Sequence, residues 1–188
     1  MAMPALDHRY WTAADVRVLP DDGNRYECID GALLVTPAPR GRHQLAVREL
    51  FCALDAYVRL AGGGELLWSP ADLELEPGSL VQPDLFVARL NVGVAKFRDW
   101  IDIAGLELAI EVLSPSTSRF DRGVKRKLYQ RAGVTEYWIV DLDARTIERW
   151  RPQDEQPEVL RDALRWQPMA AQEALQIDLA AYFAAVCD

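Results

Sequence analysis

Apolar residues recur at helical spacing between about Arg42 and Leu60, which gives the clearest periodic pattern in the chain. Five of them lie three or four positions apart on one face: Val47, Leu50, Phe51, Leu54 and Val58. A stripe of this width is typical of an amphipathic helix that packs on a core. Glycines occupy positions 62–64 and predict its end, because glycine favours the left-handed conformation that closes helices.

Two later stretches have the patterns of strands. In LELAIEVLS, Glu107, Ala109 and Glu111 alternate with apolar residues, so these three would share one face of a strand. In TEYWIVDLDARTIERWR, the first arm is apolar on both faces and a turn is predicted at Asp143. A strand that is apolar on both faces is typical of the middle of a covered sheet.

The remaining patterns predict further helices and strands around that sheet. A short helix capped by Thr12 is predicted in WTAADVRVLP, and another helix from about Arg122 to Ala132. RYECIDGALLVTP predicts a hairpin turning at Asp30 and Gly31. The other predictions are two strands in ELLWSPADLELEPGS, one strand in LVQPDLFVARL with a proline at its entrance, a loop in RPQDEQPEVL and a final helix in DLAAYFAAVCD.

This order of elements predicts an α/β fold with a mixed central sheet flanked by helices and an N-terminal hairpin. A chain of 188 residues is long enough for a sizeable core and suggests one domain over residues 1–188. The regular alternation of a doubly wound fold is missing, and no GxGxxG or GxxxxGK[ST] phosphate loop occurs.

Composition narrows the class of protein. Half of the residues are apolar, and Asp plus Glu outnumber Lys plus Arg by 29 to 21, for a formal net charge of −8. Proteins that bind nucleic acid over a broad surface are usually basic, so the balance counts against a large footprint but allows a local one.

Cysteine usage and the N-terminus bear on the compartment. Cys28, Cys52 and Cys187 are far apart with no CxxC spacing, which predicts neither a zinc site nor a disulfide framework. MAMPALDHRYW has no apolar signal-peptide core, and charges interrupt the apolar runs before they reach the length of a membrane span. We therefore expect a cytoplasmic protein with no membrane partner.

An acid within an apolar strand is the first indication of chemistry. Burying an unpaired carboxylate costs several kcal/mol, so Glu111 needs a metal ion, a cation or solvent. Asp84 is placed similarly in QPDLFVA, 27 residues earlier, which leaves room for a strand, a loop and a return strand. Neighbouring strands could then hold both carboxylates at one edge of the sheet. Such a pair suggests a Mg²⁺ site, which would activate water for attack on phosphorus.

A cation is expected beside such a site. In the arrangement Asp…Glu-x-Lys the lysine lies two residues after the glutamate, but that position is Leu113 here. The next helix offers a substitute, because Lys125 shares an apolar face with Leu128 and Tyr129. That face should pack on the sheet, so Lys125 could reach the strand edge near Glu111.

Three longer stretches together resemble one family. YECIDGALLVTPAPRGRHQLAV, QPDLFVA and IEVLSPSTSRFDRGVKRKLYQRAGVTEYWIVD are similar to the Uma-two family of predicted endonucleases, within the PD-(D/E)xK nuclease superfamily. The resemblance runs from about Tyr26 to Asp141 and implies a restriction-endonuclease-like fold. It implies that Asp84 and Glu111 bind the metal and that the lysine has moved to the helix as Lys125.

The resemblance also implies helper residues. Glu27 and His43 stand where the family has a glutamate and often a histidine, so both are predicted to lie in the pocket. The carbonyl of Leu113 is a further candidate ligand of the ion. Glu107 is a departure, since its position is not regularly acidic in the family, and it would either join the site or face solvent.

Each candidate has an ordinary structural alternative. Asp84 could cap the chain after a proline, Glu111 could pair with a helix arginine such as Arg122, and Lys125 could lie on a solvated helix face. The strand glutamate could face water, and the histidine could hydrogen-bond locally.

A basic patch is the candidate surface for DNA. Between positions 117 and 131, six basic residues face one acid, a local net charge of +5, and they are Arg119, Arg122, Lys125, Arg126, Lys127 and Arg131. Such a patch could hold a phosphodiester backbone, or pair with acids of a partner subunit. Trp68, Trp138 and Trp150 are expected in the core rather than at a base-stacking surface.

These patterns predict an endonuclease that depends on Mg²⁺ or Mn²⁺ and hydrolyses phosphodiester bonds of DNA, acting as a homodimer. One alternative is a catalytically silent protein of the same fold that binds nucleic acid or a protein partner. Another is a metal hydrolase that acts on a small phosphoester.

Overall fold

A computed structural model describes residues 9–62, 64–94, 97–98, 100–168 and 171–188. The strands are β1 (Arg25–Ile29), β2 (Ala32–Thr36), β3 (Gly64–Trp68), β4 (Leu73–Glu76), β5 (Ser79–Val81), β6 (Leu85–Leu90), β7 (Ile103–Val112), β8 (Glu136–Asp141), β9 (Thr146–Trp150), β10 (Glu158–Leu160), β11 (Ala163–Trp166) and β12 (Leu175–Asp178). The helices are α1 (Ala13–Arg17), α2 (Gly41–Ala61), α3 (Ser118–Phe120), α4 (Arg126–Arg131) and α5 (Leu179–Cys187). A π-helical turn at Asp121–Lys125 joins α3 to α4, and a 3₁₀ turn spans Trp100–Asp102.

The central sheet has six strands in the order β10-β9-β8-β7-β6-β3. The β7–β8 pair is parallel and the other pairs are antiparallel, so the predicted mixed sheet is confirmed. Strand β8 lies inside this sheet, as its apolar character on both faces predicts.

Helix α2 covers one face of this sheet. Its buried stripe comprises Ala46, Leu50, Leu54 and Val58, and it packs together with α5 against apolar residues of β6, β7 and β8. Those strand residues are Leu85, Val87, Leu108, Ile110, Val112, Trp138 and Val140. The helix ends at Ala61, and Gly62 adopts a positive φ of 69° there, which confirms the predicted glycine stop.

The opposite face is covered by α4 and by a smaller sheet in the order β2-β1-β5-β4. Leu128 and Tyr129 of α4 are buried against Ala109 and Ile139 of the central sheet. From Leu108 to Val112 the alternation along β7 is as predicted, with Ala109 on the α4 side and its apolar neighbours on the α2 side. Glu107 does not follow it, because a bulge at that residue separates the Val87–Leu108 pair from the Ala88–Leu106 pair.

The predicted N-terminal elements are confirmed. Strands β1 and β2 form the hairpin, with Asp30 and Gly31 at positive φ in its turn. Helix α1 begins after Thr12, whose hydroxyl accepts a hydrogen bond from the Asp15 amide while the Asp15 carboxylate accepts one from the Thr12 amide. Among the described residues, no helix is both long enough and apolar enough to cross a bilayer.

Three predictions about elements were wrong or incomplete. The segment predicted as a loop contains β10, which pairs with β9. LVQPDLFVARL contributes to two strands of different sheets, β5 and β6, rather than to one. Trp138 and Trp150 are buried as expected, but Trp68 is 55% exposed because it lies at the end of the edge strand β3.

Candidate active site

Asp84 lies where β6 begins, beside the end of β7. Leu85 pairs with Ile110 in the antiparallel register, which places Asp84 next to Glu111. The Val112 amide donates to Asp84 Oδ2 at 2.9 Å, so the carboxylate is fixed against the backbone of the neighbouring strand. The two acids therefore meet at one edge of the sheet, as the spacing predicts.

Two side chains from other elements hold the Asp84 carboxylate. His43 from the first turn of α2 places Nε2 2.9 Å from Oδ2, and Arg25 at the start of β1 places Nη1 2.7 Å from Oδ1. Burial alone would raise the pKa of Asp84, but the hydrogen bond and charge of His43, the charge of Arg25 and the Val112 amide outweigh it and lower that pKa to about 2. Asp84 is thus an ionised carboxylate whose two oxygens both have partners.

Glu111 lies on the α4 side of β7 and is 2% exposed. Its Oε1 accepts hydrogen bonds from Lys125 Nζ at 2.9 Å and from the Tyr129 hydroxyl at 3.0 Å. Burial raises the pKa of Glu111 well above its ordinary value; Lys125 opposes this rise, whereas nearby carboxylates add to it. The carboxylate therefore lies in surroundings with an excess of negative charge.

Lys125 is enclosed by three carboxylates. Its Nζ is 2.9 Å from Glu27 Oε2, 2.9 Å from Glu111 Oε1 and 3.7 Å from Asp121 Oδ1. Burial would lower the pKa of Lys125, but the charges of Glu111, Glu27 and Asp121 reverse that effect and raise it. The ammonium group therefore stays charged although the residue is only 2% exposed.

The π-helical turn explains how Asp121 and Lys125 both point inward. The Arg126 amide donates to the Asp121 carbonyl five residues earlier, and both Asp121 and Lys125 are buried. Burial raises the pKa of Asp121 to about 6, with Lys125 opposing the rise. Such turns are frequent at functional sites.

Glu27 projects inward from β1 rather than outward to water. It is 1% exposed, and its Oε1 accepts a hydrogen bond from the Gln82 amide at 2.8 Å. Its other oxygen is paired with Lys125, so Glu27 positions the lysine from the hairpin side.

A cleft of about 690 Å³ opens onto these side chains. Its walls are the β2–α2 connection at 36–40, the turn after β7 at 113–118 and the β8–β9 turn at 141–144. Arg25, His43, Asp84, Glu111 and Lys125 line it, and Leu113 lies on the same wall as the turn after β7. All residues predicted for the site line this cleft except Glu27, which contacts Lys125 from behind.

The structural alternatives offered for these residues are mostly wrong. Arg122 pairs with Asp141 at 2.9 Å and Glu148 at 2.6 Å rather than with Glu111. Lys125 is buried rather than solvated. His43 hydrogen-bonds with Asp84, which lies 41 positions later in the sequence, rather than with a neighbouring residue.

Glu107 follows neither of the two outcomes expected of it. It is 6% exposed, accepts a hydrogen bond from the Thr135 hydroxyl at 3.2 Å and lies 3.7 Å from Arg89. It is thus a buried structural acid at a bulge in the middle of β7, and it does not line the cleft.

The predicted basic patch is largely neutralised by acids of the same chain. Arg122 is paired as above, Lys125 is buried, and Arg131 pairs with Asp30 at 3.0 Å and Glu76 at 2.9 Å. Arg126 lies over the Trp150 ring at 4.6 Å. A focused charge of +5 is therefore not presented to solvent.

Sequence reasoning missed three residues of the site: Arg25, Asp121 and Tyr129. Tyr129 was recognised as part of the apolar helix face, and its hydroxyl gave no separate signal. Arg25 and Asp121 resemble ordinary surface charges in the sequence. Arg25 is brought to the site by its contact with the distant Asp84, and Asp121 is buried by the π-helical turn.

The carboxylates of this cluster supply the oxygen ligands that a hard divalent cation prefers. Asp84, Glu111, Glu27 and Asp121 outnumber the permanent cations Arg25 and Lys125 by two, and carboxylate oxygens are the ligands that Mg²⁺ prefers. Among the described residues, however, no group of three or more His, Cys, Asp or Glu side chains is arranged to hold a metal. A site would thus rest on Asp84 and Glu111, with Asp84 releasing one of its present partners.

Comparisons with known proteins agree with this fold. A crystal structure from Anabaena variabilis ATCC 29413, described as "a putative nuclease belonging to DUF820", is similar over 93% of this chain and 98% of that one, with 25% identity and a TM-score of 0.71. The fold is therefore a mixed α/β fold of the nuclease class. The family Uma2, described as "Putative restriction endonuclease", matches residues 13–180, so the chain belongs to the Uma2 family. A comparison with curated proteins finds no match.

Proposed function

We propose that the chain is a divalent-metal-dependent endonuclease that hydrolyses phosphodiester bonds of DNA. The observation that carries the proposal is the convergence of Asp84, Glu111 and Lys125 at one edge of the sheet, with Lys125 Nζ 2.9 Å from Glu111. Membership of the Uma2 family and the likeness to a nuclease structure support the same class of activity.

Asp84, Glu111 and the Leu113 carbonyl are the groups that would hold Mg²⁺ or Mn²⁺. When bound there, the ion supplies polarisation of a phosphoryl oxygen and acidification of a water molecule. The chain itself orients the two carboxylates, through the Val112 amide and His43 at Asp84, and through Tyr129 at Glu111.

Lys125 has two tasks in this proposal. Its ammonium group stabilises the negative charge that develops on the phosphoryl oxygens during attack, and it holds Glu111 in place before substrate arrives. Glu27 and Asp121 act through Lys125 as positioning residues, because each lies within 4 Å of its Nζ.

The test replaces Glu111 and compares it with a matched acid of the same strand. Glu111→Gln should abolish Mn²⁺-dependent cleavage of plasmid DNA, because it replaces a charged carboxylate ligand of the predicted ion with a neutral amide. Glu107→Gln is the control, because Glu107 is also a buried acid of β7 but does not line the cleft. Both variants are first checked for folding by circular dichroism. Equal cleavage by Glu111→Gln and wild type would refute the assignment.

A catalytically silent, DNA-binding protein is the second candidate function. It is favoured by two observations: both oxygens of Asp84 already have partners, and Lys125 is enclosed by acids of its own chain. This alternative predicts a gel shift with duplex DNA and no cleavage in Mg²⁺ or Mn²⁺.

The predicted homodimer and the cytoplasmic location are part of the same proposal. A dimer would present two clefts to a duplex, so that each protomer could cut one of the two strands. Cys28, Cys52 and Cys187 are all free thiols, which suits a reducing compartment.

A further inference from the structure

The guanidinium of Arg25 occupies one oxygen of Asp84 in the cleft. Its Nη1 donates to Asp84 Oδ1 at 2.7 Å and to Ser69 Oγ at 3.4 Å. Oδ2 is held separately, by the Val112 amide and His43. The carboxylate is therefore fixed through Oδ2, whereas Oδ1 is paired with a cation.

Arg25 lies among acids but does not use all of its hydrogen-bond donors. Burial would lower the pKa of Arg25, but Asp84, Glu111 and Glu27 overcome that effect and raise it. Its Nε is buried with no hydrogen-bond partner in the described part of the chain. A guanidinium with an unused donor and a 16% exposed side chain at the cleft wall is suited to exchange its partner.

We propose that Arg25 is an internal counter-cation of Asp84, which a divalent ion displaces, and that the released guanidinium binds a phosphate group of DNA in the cleft. This inference rests on the proposed function and adds a residue and a coupling that the function does not require.

Charge supports the exchange. The buried acids of the cluster exceed Arg25 and Lys125 by two, so a divalent cation can replace the attraction that Arg25 now supplies. With the ion bound, the cluster without Arg25 would carry four acids against Lys125 and the ion, a net charge of −1 instead of −3. Arg25 would then be attracted less strongly to the cluster and could bind a phosphate in the open cleft. Guanidinium groups bind phosphate through two parallel hydrogen bonds, which an ammonium group cannot reproduce.

The exchange makes metal binding and DNA binding mutually favourable. Metal that takes Oδ1 frees Arg25 for the phosphate, and a phosphate that takes Arg25 frees Oδ1 for the metal. Linkage requires that each ligand then increases the affinity for the other by the same factor.

The test measures Mn²⁺ binding to the full-length protein by calorimetry in the absence of DNA. Arg25→Gln removes the competing cation, so Mn²⁺ should bind about tenfold more tightly than to wild type, within the usual range of coupling between sites. In the same variant, the affinity for a fluorescent duplex oligonucleotide in Ca²⁺ should fall about tenfold. A residue that merely supports Asp84 would weaken both ligands when replaced, so opposite signs identify the exchange.

Two further variants complete the test. Arg17→Gln is the matched control, because Arg17 pairs with Glu74 at 2.9 Å away from the cleft and should change neither affinity. Arg25→Lys keeps a cation on Asp84, so it should leave Mn²⁺ affinity near wild type while weakening DNA binding. It also separates lost function from lost folding if Arg25→Gln does not fold.

The outcomes distinguish this inference from the nuclease proposal. Unchanged or weaker Mn²⁺ binding in a folded Arg25→Gln protein overturns the exchange, as does absence of Mn²⁺ uptake by both proteins. Calorimetry without DNA involves no cleavage, so a wild-type protein that binds Mn²⁺ but leaves DNA intact overturns the nuclease proposal alone.

Discussion

At the scale of single residues, the cost of burying a charge explains which ionic partners of the buried acids could be predicted from the sequence. A lone acid in an apolar strand needs a counter-charge, and this argument correctly led from Glu111 to Lys125. The same argument could not identify Arg25, because an arginine at the start of a hairpin strand can be exposed to solvent and then needs no counter-charge. Its burial depends on the approach of Asp84 from another sheet.

The Lys125 cluster makes a prediction about stability. Lys125→Met should destabilise the protein by about 3 to 5 kcal/mol, because it leaves Glu27, Glu111 and Asp121 buried without their shared cation. Chemical denaturation with urea measures this. Lys127→Met, an exposed position two residues on, should cost little.

A double variant tests whether that cost arises from the uncompensated acids. Lys125→Met combined with Glu111→Gln should be less destabilised than the sum of the two single changes, by about 1 to 3 kcal/mol. Strict additivity would show instead that Lys125 and Glu111 do not stabilise each other.

At the scale of elements, the helix after β7 shows where pattern reasoning succeeds and where it fails. Its apolar face was predicted with Lys125, Leu128 and Tyr129 on it, and all three are buried. The π-helical turn was not predicted, because one extra residue in a turn leaves no mark in a short amphipathic pattern. It is this turn that buries Asp121 beside Lys125.

Asp121 gives the π-helical turn a measurable pH signature. Its pKa is raised by burial from 3.8 to about 6, so the folded state takes up a proton that the unfolded state does not hold between these values. The stabilisation is present below pH 3.8 and is lost as the pH rises through about 6. This group should make the protein about 1 kcal/mol more stable at pH 5 than at pH 8.

Asp121→Asn should remove that contribution and flatten the profile of unfolding free energy between pH 5 and pH 8 by about 1 kcal/mol. Urea denaturation in EDTA at several pH values measures it. Asp143→Asn is the comparison, because Asp143 is exposed and pairs with Arg42 at the surface. A profile as steep in Asp121→Asn as in wild type would contradict the role given to this residue.

At the scale of the whole molecule, the mixed sheet and its covering helices followed from hydrophobic pattern, whereas the second sheet did not. Its assembly depends on Cys28 pairing with Leu80, a contact between strands that are far apart in sequence. Local pattern carries no information about which distant strands pair. Short edge strands such as β10 escape prediction for a related reason, since polar and proline-rich sequence around them resembles a loop.

The net charge of the molecule and its distribution determine how many phosphate contacts the protein could make with DNA and where they would lie. The chain carries −8 overall, and acids of the same chain already pair with Arg122 and Arg131 of the predicted patch. Phosphate contacts should therefore be few and confined to the cleft, where Arg40 lies on the exposed rim. Each phosphate neutralised contributes about −0.9 to the slope of log affinity against log salt for duplex DNA.

We therefore expect a shallow slope of about −2 to −3 for the wild type, measured by fluorescence anisotropy between 50 and 200 mM salt with EDTA present, in the range that about three contacts give. Arg40→Gln should reduce its magnitude by about 1, because it removes one phosphate contact at the rim. Lys127→Gln removes an equal charge from an exposed position outside the cleft walls and should leave the slope unchanged. Equal effects of the two substitutions would mean that DNA lies across the exposed surface of α4 rather than in the cleft. Asp84 and Glu111 in the cleft would then not face the substrate.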